Sequence, residues 1–194
     1  MKSVCVYCGS LSGNQIGYAE SAEAFGWALV KANLSLVYGG AKTGLMGALA
    51  DAVLAAGGNA IGVIPELLID EGVGHLGLTE LHVVADMHER KRKMADLADA
   101  FVALPGGIGT LEEFFEVFTW AQLGYHQKPV ALLNVNRFYD PLLAMLQHTA
   151  NEGFMEQFFI EMLQIDANPL VLLERLATYK PPIGNKWSKY RSAV

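Results

Sequence analysis

Short runs of apolar residues alternate along the chain with longer segments in which apolar residues recur every three or four positions. The short runs predict strands at residues 3–7, 35–38, 59–64, 80–84, 100–104, 130–134 and, more weakly, 163–166. The longer segments predict helices at residues 18–32, 45–56, 87–98, 111–123, 139–152 and 169–179. Because the strands are apolar throughout and alternate with helices, the pattern predicts a parallel sheet that is covered on both faces.

We expect a single doubly wound α/β domain over residues 1–178, with about six to seven strands, followed by an exposed tail at residues 179–194. The tail contains two adjacent prolines and four basic residues, and Trp187 and Tyr190 are the side chains in it that we expect to pack. In a fold of this class the ligand binds beyond the carboxyl ends of the strands, near the point where the strand order reverses.

Glycine-bearing loops follow three of the predicted strands. Their sequences are Cys8-Gly9-Ser10, Tyr38-Gly39-Gly40-Ala41-Lys42-Thr43-Gly44 and Pro105-Gly106-Gly107-Ile108-Gly109-Thr110. Glycine lets the backbone approach an anion, and a helix start directs unpaired N–H groups at it, so the three loops indicate a phosphate-bearing ligand of nucleotide size. The dinucleotide fingerprint Gly-x-Gly-x-x-Gly is absent and the spacing of a P-loop is not met, so neither an ordinary dehydrogenase nor an NTPase is indicated.

Glu113 permits two interpretations. With Thr110 it forms the pattern Thr-x-x-Glu, which is typical of a capping box at a helix start, and Glu112 and Glu113 would then also complement the helix dipole. A carboxylate has no role in binding the phosphate itself, however, so Glu113 is also a candidate catalytic group that faces the other end of the ligand. The residues alone leave both interpretations open.

Arg90 is the second candidate. In the helix predicted at residues 87–98, Met87, Arg90, Met94 and Leu97 fall on one stripe, while Arg92 and Lys93 lie off it. A charge within an apolar stripe requires an anionic partner or a ligand, because an unpaired buried charge is costly. The planar guanidinium suits a phosphate or a carboxylate, and a structural salt bridge remains an equal alternative.

Composition and charge exclude several functional classes. The chain has 194 residues, of which 52% are hydrophobic and 18% charged, and its net charge of −6 argues against nucleic acid as a partner. We expect no membrane span and no signal peptide, and hence a cytoplasmic protein. Cys5 and Cys8 fall within the first strand and are expected to be buried thiols, and the five histidines show no metal-ligand spacing.

The two candidate segments also carry a resemblance. Met87-His88-Glu89-Arg90-Lys91 and the segment from Pro105 to Glu113 resemble the two signature motifs of the Lonely Guy family, in the proper order and spacing. The similarity extends over roughly residues 1–176, through Val4 to Ser10, Tyr38-Gly39-Gly40, Gly44-Leu45-Met46-Gly47, Thr119 to Gly124 and Leu132-Leu133-Asn134.

The resemblance implies a Rossmann-like homodimer that hydrolyses the N-glycosidic bond of N6-substituted adenosine 5'-monophosphate, with no cofactor and no metal. General purine nucleotide hydrolysis, or nucleotide binding without catalysis, are the alternatives. It implies that Arg90 and Glu113 are the catalytic pair. Together with the glycine loops it predicts a substrate site formed by Gly9, Ser10, Gly40, Thr43, Gly44, Met87, Lys91, Gly106, Gly107, Ile108, Gly109, Thr110, Leu111, Glu112 and Thr119.

One departure from the family pattern stands out. Family members often carry a glutamate after the Val-Ile-Pro segment, where this chain has Gly72 with Glu71 beside it. Either Glu71 replaces that glutamate through a shift of one residue, or the base pocket differs. Sequences of this kind are often labelled lysine decarboxylases, but nothing in this chain marks a lysine for pyridoxal phosphate.

Overall fold

The computed structural model describes residues 1–181, and in this part of the chain seven parallel strands form one sheet. The strands are β1 (Ser3–Tyr7), β2 (Ser35–Tyr38), β3 (Ala60–Pro65), β4 (Glu80–Val84), β5 (Ala100–Ala103), β6 (Val130–Leu133) and β7 (Gln164–Asp166). Their order across the sheet is β4-β3-β2-β1-β5-β6-β7. This arrangement confirms the predicted doubly wound α/β architecture.

Helices connect the strands and cover both faces of the sheet. They are α1 (Ile16–Lys31), α2 (Gly44–Ala55), α3 (Glu66–Asp70), α4 (Met87–Leu97), α5 (Ile108–Leu123), α6 (Asp140–Asn151), α7 (Gln157–Glu161) and α8 (Pro169–Thr178). The short helices α3 and α7 and a 3₁₀ turn at Val135–Arg137 were not predicted, because five residues or fewer span too few turns for a periodic pattern.

Two hydrophobic cores lie on opposite faces of the sheet, and alternate residues of β1 belong to each. Val4 and Val6 pack with α1, α2 and α8, whereas Cys5 and Tyr7 pack with α4, α5, α6 and α7. All five residues of β1 are buried, which explains why the strand is apolar throughout rather than alternating. Cys5 and Cys8 are buried free thiols, as predicted, although Cys8 directly follows β1 instead of lying within it, and burial raises the pKa of both.

The strand order reverses at β1. From β1 the chain adds β2, β3 and β4 on one side, and then α4 returns it to β5, which pairs with the other side of β1. The loops after β1 and β5 therefore start side by side and lead to helices on opposite faces of the sheet. At their start, the N–H of Gly9 in the first loop donates a 3.0 Å hydrogen bond to the carbonyl of Pro105 in the second. A crevice at this position is where an open α/β sheet binds its ligand.

The remaining predictions about chain organisation concern its tail and membranes. Residues 182–194, with Trp187 and Tyr190, lie outside the described residues, so the tail stays a prediction. Within residues 1–181, no helix combines the length and the apolar character that a membrane crossing requires.

Candidate active site

The start of α5 provides exposed N–H groups beside the crevice. The helix begins at Ile108, with Gly107 as an extended N-cap residue, and Gly107, Ile108 and Gly109 are all exposed. The N–H groups of the first helical turn have no acceptor within their own helix. Together with the helix dipole they form a site for a phosphate group.

The predicted capping box is wrong. Thr110 and Glu113 are the third and sixth residues of α5, and no side chain caps its start, because the helix begins three residues earlier than the prediction had it. For the same reason no acidic residue lies in the first turn, and the predicted dipole role of Glu112 and Glu113 is also wrong. Thr110 is buried, and Glu113 points its carboxylate at Arg90 instead of at the helix start.

Arg90 lies one turn into α4, whose start is fixed by side chains. Asp86 accepts a 2.8 Å hydrogen bond from the Glu89 N–H, and Glu89 in turn accepts one from the Ala85 N–H. Such a reciprocal arrangement closes free N–H groups at a helix start. On the predicted apolar stripe, Arg90 and Met94 are buried and Leu97 is half-buried, but Met87 is exposed. Arg92, which was expected off the stripe, is exposed.

The guanidinium of Arg90 is held by two backbone carbonyls, one within β3 and one directly after β2. Its Nε donates to the Val63 carbonyl at 3.0 Å, and Nη2 donates to the Gly39 carbonyl at 2.9 Å. Nη1 contacts the sulfur of Met87 at 3.3 Å and lies 3.4 Å from an oxygen of Glu113. The guanidinium therefore has a fixed position, with one edge directed at the Glu113 carboxylate.

Glu113 is a largely buried carboxyl group whose side chain is 13% exposed. Burial raises its pKa from 4.5 to about 7, and the nearby Arg90 guanidinium offsets part of that shift. A carboxyl group with a pKa near neutrality, in a crevice and next to a fixed cation, is a candidate for acid–base chemistry.

Lys91 is also buried, but it binds protein carboxylates. Its Nζ lies 2.5 Å from Glu112 and 3.1 Å from Glu116, both on α5. Burial lowers the pKa of Lys91, yet the hydrogen bonds to the two glutamates outweigh burial and leave the pKa raised. Lys91 thus stays charged and links α4 to α5 beside the catalytic candidates.

A cavity of about 420 Å³ brings most of the predicted residues together, and its volume suits a nucleotide-sized ligand. Among the residues predicted for the site, those that line it are Ser10, Met87, Arg90, Gly107, Ile108, Gly109, Thr110, Glu112 and Glu113. Cys8 and Met46 also line it and were not assigned by sequence reasoning. Both residues stand in segments that carry the family resemblance, and that was the available signal.

The other predicted site residues lie outside this lining. Gly9 and Gly106 line an adjoining apolar cavity of about 200 Å³, and the half-buried Leu111 of α5 packs against the hydrophobic core on its face of the sheet. Gly40 and Thr43 belong to the loop after β2, and Lys91 is bound as described above. Thr119 is exposed, about three turns from the start of α5.

The loop after β1 occupies the start of α2, which was expected to join the phosphate site. The Gly9 carbonyl accepts hydrogen bonds from the N–H groups of Leu45 and Met46, at 3.0 and 3.4 Å. Gly44 has φ +58°, and a Cβ placed on it would lie 2.3 Å from the carbonyl carbon of Ser10. Gly44 therefore lets the two loops pack together, and of the two helix starts, that of α5 is open to a ligand.

Gly72, which stands where family members often have a glutamate, lies away from the cavity. It has φ +71° in an exposed turn after α3 and does not line the cavity. That Glu71 takes the place of the family's glutamate stays a prediction. In residues 1–181, no group of three or more His, Cys, Asp and Glu side chains is arranged to hold a metal ion.

Comparison with known proteins gives close relatives over most of the chain. The family model described as "Possible lysine decarboxylase" matches residues 46–176. A cytokinin riboside 5'-monophosphate phosphoribohydrolase of Rhodococcoides fascians is 57% identical over 156 residues, covering 79% of this chain and 78% of the relative. An enzyme of the same name from Arabidopsis thaliana is 45% identical over 180 residues, covering 93% of this chain and 84% of the relative.

Solved structures share the fold at much lower identity. A molybdenum cofactor binding protein of Rippkaea orientalis is 20% identical with a TM-score of 0.69, covering 92% of this chain and 97% of that protein. The molybdenum cofactor carrier protein of Chlamydomonas reinhardtii is 18% identical with a TM-score of 0.66, covering 92% and 99% of the two chains. At these identities the likeness concerns the fold alone.

Proposed function

Because this chain belongs to the Lonely Guy family of cytokinin riboside 5'-monophosphate phosphoribohydrolases, we propose that it hydrolyses the N-glycosidic bond of N6-substituted adenosine 5'-monophosphate. The products are the free base, a cytokinin, and ribose 5-phosphate. The observation that carries the proposal is the buried Arg90–Glu113 pair, 3.4 Å apart, next to the open start of α5.

The chemistry of the bond explains the need for a buried carboxylate. Cleavage of an N-glycoside develops positive charge on the sugar, so a carboxylate close to the anomeric carbon stabilises the transition state. In its ionised form the same group accepts a proton from the water whose oxygen bonds to the anomeric carbon as the C–N bond breaks, and the nitrogen of the departing base takes up a proton in exchange, directly or through solvent. Glu113 performs both tasks, and Arg90 fixes the direction of its carboxylate.

The start of α5 binds the 5'-phosphate at the other end of the substrate. Hydrogen bonds to a charged group contribute roughly 1.5–3 kcal/mol each, and they hold the sugar so that its anomeric carbon faces Glu113. The phosphate and the carboxylate do not compete, because Glu113 lies five residues beyond Ile108, or about 7.5 Å along the helix axis.

Incubation with AMP, N6-isopentenyl-AMP and N6-isopentenyladenosine tests the proposal, with chromatography of the released base. We expect release of isopentenyladenine from the monophosphate, and turnover of the nucleoside at least about 100-fold slower because it lacks the anchoring group. Comparison of the two monophosphates separates cytokinin release from general purine nucleotide hydrolysis. Absence of base release from every monophosphate contradicts the enzyme proposal, and equal turnover of nucleoside and monophosphate contradicts the role of α5.

The pH dependence of the reaction follows from the pKa of Glu113. Since the group reacts as a carboxylate, and its pKa is raised to about 7, we expect kcat/KM to rise with pH and to level off above about pH 7. Initial rates measured between about pH 5 and about pH 9 check this. A rate that is constant across neutral pH, or that falls on deprotonation, contradicts the assigned protonation state.

Lysine decarboxylation is not supported by the site. A lysine that binds pyridoxal phosphate reacts as the neutral amine, and such lysines have a lowered pKa. Lys91 is the only buried lysine within residues 1–181, and its ion pairs with Glu112 and Glu116 raise its pKa instead. The charged ammonium of Lys91 is therefore unsuited to form a Schiff base.

We also propose that the protein acts as a cytoplasmic homodimer. Ile108, Glu112, Phe115 and Thr119 form an exposed stripe along α5, and Ile108 is 83% exposed although it borders the cavity. A second copy that covers this stripe buries Ile108 and brings Thr119 of one copy near the active site of the other. Sedimentation velocity that gives a monomer at micromolar concentration contradicts the dimer, and cell fractionation tests the compartment.

A further inference from the structure

We propose that Gly39 is a positioning residue for this reaction, because the absence of a side chain at residue 39 leaves the space that the Arg90 guanidinium occupies. This inference rests on the proposed function of the Arg90–Glu113 pair. Gly39 directly follows β2, is buried, and does not line the cavity. It therefore acts on the substrate only through Arg90.

The distances around Gly39 are too short for any side chain. A Cβ built on Gly39 would lie 2.0 Å from Nη2 of Arg90 and 3.1 Å from its Cζ, whereas real Cβ contacts are essentially never under 3.0 Å. The Gly39 carbonyl accepts the 2.9 Å hydrogen bond from the same Nη2. Gly39 thus leaves room for the guanidinium and also holds it in place.

The backbone at Gly39 does not itself require glycine. Its φ lies outside the left-handed region, unlike that of the adjacent Gly40 at +74°, so φ does not exclude alanine at residue 39. The atoms that an alanine Cβ would meet belong to the ends of two long side chains, Arg90 and Met46. Substitution by alanine is therefore expected to move the guanidinium while the course of the chain is kept.

A displaced guanidinium no longer orients Glu113. Nη1 of Arg90 lies 3.4 Å from the Glu113 carboxylate, and this distance depends on the bonds from Nε to Val63 and from Nη2 to Gly39. A misplacement of about 1 Å costs about 100-fold in rate. Binding of the phosphate at the start of α5 involves other atoms, so the loss is expected in kcat and not in KM.

A double-mutant cycle between Gly39→Ala and Arg90→Lys tests the inference. In the parent protein we expect Gly39→Ala to lower kcat about 100-fold, with KM changed less than about threefold. In the Arg90→Lys background we expect Gly39→Ala to cost less than about threefold, because lysine has no Nη2 for the new Cβ to meet. Gly17→Ala is the matched control, since Gly17 lies in α1 and a Cβ there meets only Asn136, at 3.1 Å.

Two results overturn the inference. One is a Gly39→Ala protein whose kcat stays within about threefold of the parent, and the other is an equal loss in both backgrounds, since independent effects are additive. The same four proteins can also be compared by thermal unfolding, which does not depend on catalytic activity. There we expect Gly39→Ala to lower Tm more in the parent protein than in the Arg90→Lys variant. If the parent protein releases no base, the proposed function fails and this stability cycle alone decides the contact between Gly39 and Arg90.

Discussion

Replacement of Glu113 by Gln is expected to lower kcat for base release by at least about 1,000-fold while the fold and nucleotide binding are kept. Gln has the shape of Glu, so it fills the same buried position next to Arg90. It carries no negative charge to stabilise the developing cation on the sugar, and it accepts no proton from water. Initial rates with N6-isopentenyl-AMP, together with titration of ribose 5-phosphate binding, measure the two effects separately.

The same substitution is expected to increase stability above neutral pH. The folded-state pKa of Glu113 is raised from 4.5 to about 7, so folding favours the protonated form, and this contribution is lost as pH rises through 7. Gln resembles the protonated form at every pH. The variant is therefore expected to be more stable than the parent by up to about 3 kcal/mol at about pH 8, and equally stable near pH 4, as urea unfolding at the two pH values will measure.

Glu112→Gln is the matched control, because Glu112 is adjacent, lines the same cavity, and has a side chain that is 52% exposed. It contacts Lys91 and not Arg90, so we expect a loss of less than about tenfold. A nucleotide-binding module without catalysis predicts a different pattern, in which the parent and both variants bind nucleotide and none releases base. Retention of more than about a tenth of the parent kcat by Glu113→Gln contradicts the catalytic assignment.

The sequence predicted the sheet well, because burial on both faces leaves a clear pattern. Strands β1, β2 and β4 have the predicted bounds, β5, β6 and β7 differ by one residue at one end, and β3 is shifted by one residue at both ends. The start of α5 was predicted three residues late, since Gly107 and Gly109 have low helix propensity and were assigned to the loop. That error produced the capping box, and with it the competing interpretation of Glu113.

Within the site, sequence reasoning identified the side chains but not the contacts between them. The stripe on α4 correctly marked Arg90 as buried, yet it gave no sign that Lys91 would be buried as well. Lys91 is buried because two glutamates on α5 neutralise it, and their positions depend on how α4 and α5 pack. The proposed role of Gly39 was equally hidden. No sequence pattern indicates that its carbonyl binds the Arg90 guanidinium, or that the guanidinium occupies the space a side chain would fill.

Replacement of Arg90 by Ala is expected to lower kcat about 100-fold to about 10,000-fold, the range that a positioned acid–base apparatus contributes. The guanidinium is the cation that faces Glu113 at 3.4 Å, and it also occupies the carbonyls of Val63 and Gly39. Without it the Glu113 carboxylate has no fixed direction. Arg90→Lys keeps the charge but not the planar fork, so we expect an intermediate loss.

Loss of Arg90 also shifts the pH profile of the residual activity. The guanidinium lowers the pKa of Glu113 against the larger effect of burial, so its removal raises that pKa further. Because the reaction requires the carboxylate, the rising limb of kcat/KM is expected to move to higher pH in Arg90→Ala, and added guanidinium ion is expected to move it back. Arg92→Ala, an exposed residue on the same helix, serves as the control. A profile of Arg90→Ala that coincides with the parent's shows that Arg90 does not act on Glu113.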